Sequence, residues 1–538
     1  MNKKGLAEKA LFACVTVLLA VYMGMFAYLN LAKYGQHVDS DIAAEAMLAR
    51  EIWETKSLTP DNWLPSTERR VLGTSMVGAL FYGITGSMVT AMGIACVLVG
   101  LCVLVSLALL LKQCRVSALG LATALLAVCA LPTGGLRNEG QIVPFVMLLW
   151  FLFADYYALH CVCLFLSLAF YIRLHRLCEE GGRLKKTDIV IWCALALGCA
   201  GLGLGGMRCL QVLVLPLAAW ELLSLFAESG HLTKAVRPRR WIQSGFVLSL
   251  LGAAGAAAAY PSSREYPMFL QNAQGMVQRL LSDVPAAILE CLGIAGNAKL
   301  TSFSGLMQLI VLAVAALTVF GAAVILRRGS AVCREQKLLI QLLLSSLCVT
   351  VFTEVVTTAE TAHNYFFMVW FLVIAVIAVL ITGYGGKGAA KGSAFGKVIA
   401  LCVCVFSVLN IKYTYAEAVS VTDNLQPYEE VAEYMEAQGL DYGYAEFWDA
   451  ARICVMSDGR ITMGHSYQIE QLRMYWWLTN INWYVPNLPE DMRTAYVVRT
   501  ADREGFLAQF EDPSVMELGF ENESFAVYVS DKNFVRAW

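Results

Sequence analysis

Long apolar runs recur along most of this 538-residue chain and limit what it can fold into. Crossing the roughly 30 Å hydrocarbon core of a bilayer takes about 20 consecutive, mostly apolar residues in a helix. No soluble fold needs so many segments of that length. Eleven runs predict transmembrane helices: Leu11–Leu31, Met88–Leu111, Val116–Leu131, Tyr156–Leu174, Ile189–Leu204, Leu210–Phe226, Trp241–Tyr260, Phe303–Leu326, Leu338–Val356, Tyr365–Ile381 and Val398–Ile411.

The composition agrees with this class. Charged residues make up 15% of the chain, against roughly 25% in soluble domains. The net charge of −2 gives no reason to expect a nucleic-acid partner, and we expect none. Most of the 17 cysteines lie inside the apolar runs, without CxxC pairs or Cys/His clusters, so we expect no disulfide framework and no metal site.

Lysines and arginines predict the orientation, because positively charged loops stay on the cytoplasmic side. The N-terminus is basic, and its apolar run is too long for a cleaved signal peptide, so we expect an uncleaved signal anchor. Alternate loops then carry the basic clusters. The short run Ile142–Ala154 fits this alternation only as an interfacial or re-entrant helix on the outer face. The N-terminus is therefore predicted inside and the C-terminus outside.

The chain changes character near Tyr413. Residues 413–538 carry 21 acidic and 8 basic side chains and lack long apolar runs. The prediction is a transmembrane domain over 1–412 and a small extracytoplasmic α/β domain over 413–538. A helix is predicted over Pro427–Gly439, with Ser457–Gly459 as a hairpin turn. Strands are predicted at Tyr442–Trp448, Arg452–Met456, Arg460–Met463, Tyr496–Arg499 and Phe525–Ser530.

The first outer loop, residues 33–87, holds the most informative polar residues. Asp39 and Asp41 flank Ser40, and Glu45 follows on a predicted helix from Ile42 to Thr55. One interpretation is structural: Asp39 or Ser40 caps this helix, and Asp41 interacts with its positive N-terminal dipole. The other is chemical, since a carboxylate at a membrane surface can act as a general base. The two interpretations are compatible.

This arrangement resembles the GT-C superfamily of multi-spanning glycosyltransferases that use lipid-linked sugars, such as protein O-mannosyltransferases and aminoarabinose transferases. In that superfamily an acidic motif, Asp followed by Glu, opens the loop after the first helix, and a further Glu stands six residues after the Asp. Asp39 and Glu45 keep that spacing, although position 40 is Ser and the second carboxylate is displaced to Asp41. The tail segment Tyr442–Trp448 is similar to stretches in uncharacterised bacterial members.

The resemblance implies transfer of a sugar from a polyprenyl-phosphate donor in the lipid bilayer to an extracytoplasmic acceptor. Asp39 would be the general base, with Asp41 as the alternate or supporting group. No cofactor is required, although a divalent metal is compatible with the carboxylates. The same resemblance places the protein in the plasma membrane.

The departing phosphate would need cations on the outer face. Arg208, which follows two glycines at a helix junction, is the leading candidate, although a single arginine at an interface is often a headgroup anchor. The remaining candidates for donor or substrate binding are Arg137, Glu45, Arg69 and His363. In the tail, Trp476, Trp477 and Trp483 fit either a protein core, a membrane surface or a sugar-stacking site.

Two other functions fit a polytopic chain. A transporter or flippase is expected to show inverted repeats and charges at the centre of its helices, and the sequence shows neither pattern clearly. An envelope-assembly protein with the tail as a binding module would need no outer-face carboxylate. The concentration of polar residues at the outer face favours the transferase.

Overall fold

The structure is a computed structural model of the full chain. It describes residues 3–66, 70–130, 137–138, 141–142, 157–229, 240–259, 268–269, 272–292, 294, 299–327, 332–358, 361, 363–383, 394–420 and 425–537. These residues belong to two compact units. The first unit comprises Met1–Phe26, Gly100–Phe151 and Tyr157–Ala418, and the second comprises Ala27–Val99, Leu152–Tyr156 and Val419–Trp538. The predicted boundary at residue 413 stays a prediction.

Apolar helices dominate the part of the chain before the tail. The helices are α1 (Lys3–Ala32), α2 (Ser40–Thr55), α3 (Thr74–Thr85), α4 (Met88–Gln113), α5 (Ala118–Ala130), α6 (Ala158–Glu180), α7 (Lys186–Leu204), α8 (Leu215–Ser229, after a π-helical turn at Leu210–Val214), α9 (Arg240–Ala258), α10 (Ala273–Gln278), α11 (Val284–Cys291), α12 (Phe303–Arg327), α13 (Arg334–Val356), α14 (Phe367–Thr382) and α15 (Ala394–Ser420).

Each of the eleven predicted apolar runs contains a helix in the described residues. Among the described residues, seven helices are long and apolar enough to cross a membrane: Leu6–Ala32, Met88–Gln113, Ala158–Glu180, Lys186–Leu204, Arg240–Ala258, Gly305–Arg327 and Arg334–Val356. The other four runs correspond to shorter apolar helices. The protein is therefore a multi-pass membrane protein, as predicted, while the count of eleven spans and the orientation stay predictions. Of the interfacial helix predicted at Ile142–Ala154, only Ile142 lies in the described part, where it pairs with Arg137 in a short strand.

Small residues bring helices of the first unit close together. A methyl group at Gly203 of α7 would lie 2.6 Å from the Ala254 carbonyl oxygen of α9. Gly120 of α5 stands equally close to the Ala378 carbonyl of α14. Lipid-embedded helices gain little from apolar burial against each other, so they associate through such close backbone packing.

The tail contains a five-stranded sheet with the order β5-β4-β7-β9-β8. Its strands are β4 (Tyr442–Glu446), β5 (Thr462–Ser466), β7 (Thr494–Arg499), β8 (Glu517–Glu521) and β9 (Phe525–Ser530), and its helices are α16 (Gln426–Ala437), α17 (Phe447–Met456) and α18 (Arg503–Ala508). β4 pairs in parallel with β5 and β7, whereas β9 is antiparallel to β7 and β8. Strands β9 and β8 thus form the antiparallel end of the sheet.

The predicted strand Arg452–Met456 is wrong, because those residues belong to α17. Apolar residues recur at helical spacing from Phe447 through Ala450 and Cys454, and this period of 3.6 outweighs the strand propensity of single residues. The predicted hairpin at Ser457–Gly459 is also wrong. These residues end α17, with Asp458 and Gly459 at φ of 52° and 75°, and connect it to a parallel strand.

Two short strands join the first outer loop to the tail within the second unit. β1 (Trp63–Leu64) pairs antiparallel with β6 (Thr479–Asn480). The Arg50 side chain of α2 also donates to the Gly459 carbonyl at 2.8 Å, and the Asp458 carboxylate accepts from the Met88 amide at 2.9 Å. The segment that follows α1 and the tail therefore fold as one body.

Candidate functional site

The acidic turn Asp39–Asp41 lies at the start of α2. Asp39 is the N-cap residue, and its carboxylate accepts a hydrogen bond from the Ile42 amide at 2.8 Å. This satisfies one of the amides that a helix leaves unpaired in its first turn. The capping interpretation is therefore present in the structure. Asp41, in the first turn of the same helix, is exposed.

Burial raises the pKa of the Asp39 carboxyl above its ordinary value of 3.8, and the neighbouring Asp41 raises it further. The hydrogen bond from Ile42 and the Arg452 guanidinium act in the opposite direction. Asp41 reaches solvent, yet partial desolvation by surrounding protein raises its pKa too, against the opposing effect of Arg70. A raised pKa makes a carboxylate a stronger proton acceptor, which suits a general base.

Glu45 stands one turn further along α2 and is 2% exposed. Its carboxylate pairs with the Arg70 guanidinium and accepts a hydrogen bond from the Ser75 hydroxyl at the start of α3. A buried charge requires such compensation. The structure thus places Glu45 in a link between α2, Arg70 and α3, and its predicted role in substrate binding stays a prediction. Arg70 also borders a pocket lined by Leu48, Leu58, Thr59, Pro60, Asp61, Trp63, Pro65 and Leu478.

The tail helix α17 approaches the acidic turn within the second unit. The Ser40 hydroxyl donates to the Trp448 carbonyl at 2.6 Å. Arg452, one turn later on α17, is the cation that lowers the Asp39 pKa. It donates to the Tyr428 hydroxyl at 3.2 Å, which in turn donates to the Asp449 carboxylate at 2.8 Å. Sequence reasoning missed Arg452, because its segment was predicted to be a strand.

The first unit contains a separate cluster around Arg208. The Arg208 guanidinium donates to the Gln211 side-chain oxygen at 2.8 Å and lies 3.9 Å from the Glu354 carboxylate. The Gln211 amide nitrogen donates to Glu354 at 3.0 Å. The guanidinium also lies over the Tyr365 ring at 3.6 Å. These contacts with Gln211, Glu354 and Tyr365 therefore hold the Arg208 guanidinium in one orientation.

Arg279 is a second cation in this cluster, and sequence reasoning missed it. Its guanidinium donates to the Glu354 backbone carbonyl at 3.0 Å. Two guanidiniums thus lie at Glu354, and guanidinium groups are donors that suit an anion such as phosphate. Arg279 lies in the segment 261–302, which the sequence predicts to be outside; a basic residue is unusual there under the positive-inside rule, and that signal could have identified it.

Three predicted binding residues remain: Arg137, His363 and Arg69. Arg137 lies in a two-residue strand, β2 (Arg137–Asn138), paired with β3 (Gln141–Ile142). His363 begins a 3₁₀ turn that runs to Phe366. The side chains of both residues, and all of Arg69, fall outside the described part. Within the described residues, no group of three or more His, Cys, Asp or Glu side chains could hold a metal ion.

Comparison with solved structures identifies the architecture. The crystal structure of ArnT from Cupriavidus metallidurans bound to undecaprenyl phosphate matches 97% of this chain and 99% of its own, with a TM-score of 0.52 and 11% sequence identity. The apo state of the same protein matches 97% of this chain and 98% of its own, at 11% identity and a TM-score of 0.43. No family model and no curated protein matches the sequence.

The first of these matches shows that the chain has an ArnT-like fold. The resemblance derived from the acidic turn is thereby confirmed at the level of the fold. The similarity to ArnT extends over both compact units, including the tail sheet.

Proposed function

We propose that this protein is a membrane glycosyltransferase that moves a sugar from a polyprenyl-phosphate donor to an extracytoplasmic acceptor. One observation carries the proposal: on a GT-C-like fold, the residues directly after the first membrane helix place two carboxyls of raised pKa in one turn. Capping α2 requires only one short polar side chain at Asp39, and Asp41 adds a second carboxyl in the first turn, where the helix dipole also favours it.

In this proposal Asp39, or Asp41 in its place, takes the proton from the acceptor hydroxyl. The acceptor oxygen bonds to the anomeric carbon of the donor sugar as the bond from that carbon to the phosphate oxygen breaks. Polyprenyl phosphate leaves with the electron pair. The phosphate is a good leaving group, so the reaction needs a base and cations but no strong general acid.

Each chemical requirement has a candidate in the described residues. Arg208 and Arg279 supply positive charge for the phosphate, while Arg70 holds Glu45 and fixes the helix that carries the base. Arg137, Arg69 and His363 remain proposed substrate-binding residues. The ArnT crystal structure with bound undecaprenyl phosphate supports a polyprenyl-phosphate donor. The donor headgroup and the soluble tail would then lie on the extracytoplasmic side of the plasma membrane.

The experiment is a single-turnover assay with the purified full-length protein in lipid nanodiscs and radiolabelled polyprenyl-phosphate sugars. Release of unglycosylated polyprenyl phosphate, together with label in a second product, is the expected result for the parent protein. A transporter or flippase would move the donor without breaking the bond between sugar and phosphate. Recovery of only intact donor from every sugar tested would overturn the transferase.

A further inference from the structure

The tail presents exposed aromatic side chains beside the acidic turn. Trp448 is 58% exposed and Tyr467 is 59% exposed. Large aromatic side chains gain much from burial, so two that leave more than half of their surface open are unusual for a folded domain. Neither residue is needed to fill the core, which the tail builds from other aromatics such as Tyr444, Tyr484 and Tyr496.

These residues belong to a group of rings connected by ring contacts, here termed the aromatic ridge: Trp448, Tyr467, Tyr475 and Trp477. The buried Phe447 ring links it, with centroids 5.2 Å from Trp448 and 5.7 Å from Tyr475. Tyr475 lies 5.4 Å from Tyr467 and stacks on Trp477 at 6.4 Å with an interplanar angle of 16°. Ring contacts of this length hold the exposed faces in fixed positions.

One end of the ridge is tied to the acidic turn. The Trp448 backbone carbonyl accepts the Ser40 hydroxyl at 2.6 Å, and Ser40 stands between Asp39 and Asp41 in the chain. The Trp448 indole therefore starts from a backbone position in direct contact with the turn that carries the proposed base. An acceptor must bring a hydroxyl to that base, so it binds close to the backbone of Trp448.

The chemistry of the ridge and the charge of the tail define the occupant. Residues 413–538 carry 21 acidic and 8 basic side chains, which disfavours an anionic lipid surface or an acidic polymer. The C–H groups on one face of a pyranose ring carry partial positive charge and pack against the negative face of an aromatic ring. Tyrosine hydroxyls can also donate to sugar oxygens.

From this geometry we infer that the aromatic ridge binds a neutral oligosaccharide acceptor, with its terminal sugar on Trp448 and the reacting hydroxyl at the Asp39–Asp41 turn. The identity of this ligand as the acceptor rests on the proposed function, whereas saccharide binding to the ridge does not. Trp448 would thus select a sugar hydroxyl over the hydroxyl of a protein side chain.

Saturation-transfer NMR on the full-length protein in phosphatidylcholine nanodiscs tests the binding step, with chitotetraose and maltotetraose as probes. Saturation should reach the ring C–H protons of at least one probe. Trp448→Ala should weaken its binding about threefold to tenfold, with Trp448→Phe between the two. The control is Leu518→Ala, which removes an apolar side chain of 40% exposure from β8, at the opposite edge of the sheet.

Lack of binding of both probes to the parent protein would overturn the inference, as would equal binding by Trp448→Ala. The fluorescence of Trp448 is obtained as the difference between the parent protein and Trp448→Phe. Quenching of this fluorescence by brominated lipid would also overturn the inference, because the ridge would then contact the membrane.

A second measurement separates this inference from the proposed function. With the bound tetrasaccharide as acceptor, Trp448→Ala should raise the acceptor KM about threefold to tenfold and leave kcat nearly unchanged. Asp39→Asn should lower kcat and leave tetrasaccharide binding intact. If the parent protein binds the tetrasaccharide but never cleaves the donor, the transferase proposal fails and the binding site stands. A lower kcat at unchanged KM in Trp448→Ala would contradict acceptor binding by Trp448.

Discussion

The two compact units arrange their ionisable groups differently. In the first unit, Arg208 lies 3.9 Å from the Glu354 carboxylate, and Arg279 donates to the Glu354 backbone carbonyl. In the second, Asp39 and Asp41 share one turn, with Arg452 and Arg70 acting on them from a distance. The first cluster therefore brings two guanidiniums to one glutamate, whereas the second brings two carboxyls of raised pKa into one turn.

This difference corresponds to the two demands of glycosyl transfer from a phosphate donor. A leaving phosphate is stabilised by fixed positive charge. A proton acceptor works best when its pKa lies closer to the operating pH than that of an ordinary Asp. Under the proposed function, the phosphate-binding role of Arg208 and the base role of Asp39 can each be tested separately.

The proposed role of the acidic turn requires the tail to be extracytoplasmic. The prediction is all-or-none: a reporter active only in the cytoplasm, fused after Trp538, should be inactive, and the same reporter fused after Arg328 should be active. An active C-terminal fusion would place the carboxyls on the wrong side of the membrane for the proposed acceptor. Protease accessibility in intact cells provides an independent measurement.

The largest catalytic effect is expected at Asp39. Asn caps a helix about as well as Asp, so Asp39→Asn should express and fold normally. The amide cannot accept a proton at neutral pH, and sugar transfer should therefore fall by roughly 10²–10⁴-fold. Donor affinity should change little, because losing a negative charge does not weaken phosphate binding.

Asp41→Asn, prepared in parallel, decides which carboxyl is the base, since only one of the two variants should show the large loss. In the parent protein, the rate should decline as the pH falls through the raised pKa of the base, so the acid limb lies above pH 3.8. If both variants transfer sugar at the parent rate, the acidic turn has only its capping role.

Variants of Arg208 should show a smaller loss. Removing one charged donor from a site of developing negative charge typically costs about 10²-fold. Arg208→Ala should approach that loss, and Arg208→Lys should retain part of the rate because it keeps the charge but not the planar, two-pronged guanidinium. Rates at limiting donor provide the measurement.

Arg334→Ala is the matched control, since this exposed arginine lies at the start of α13 in the same unit. A parent-like rate for Arg208→Ala would reassign Arg208 to headgroup anchoring.

The last prediction concerns the stability of the second unit and leaves catalysis aside. His465 is fully buried in β5, and burial lowers its pKa to about 4. An unfolded chain binds this proton near pH 6.5, so the stability gained from neutral His465 is present above that pH. It should decline by roughly 3 kcal/mol in total as the pH falls towards 4.

Hydrogen exchange of the β4 and β5 amides in the full-length protein, corrected for the intrinsic exchange rate, measures this loss of stability. His465→Gln, which does not titrate, should remove that part of the pH dependence. An identical decline in the variant would assign the acid sensitivity to other groups.

Apolar run length made the membrane class predictable, because every residue of such a run adds to the same burial in lipid. The acidic turn was equally accessible, since its two carboxyls and the capping role of Asp39 are local features. Arg279 and Arg452 were not recognised, because they contribute only after distant segments pack beside them. Misassignment of α17 as a strand hid both Arg452 and the start of the aromatic ridge.

Local sequence thus determined the helices, the position of the acidic turn and the polar character of the tail, because each depends on neighbouring residues and on contact with water or lipid. Only the tertiary structure decided that the first outer loop and the tail fold as one unit, through the Ser40–Trp448 and Arg50–Gly459 hydrogen bonds and the pairing of β1 with β6. Those contacts join residues about 400 positions apart. No local sequence pattern indicates which residues at that separation will contact each other.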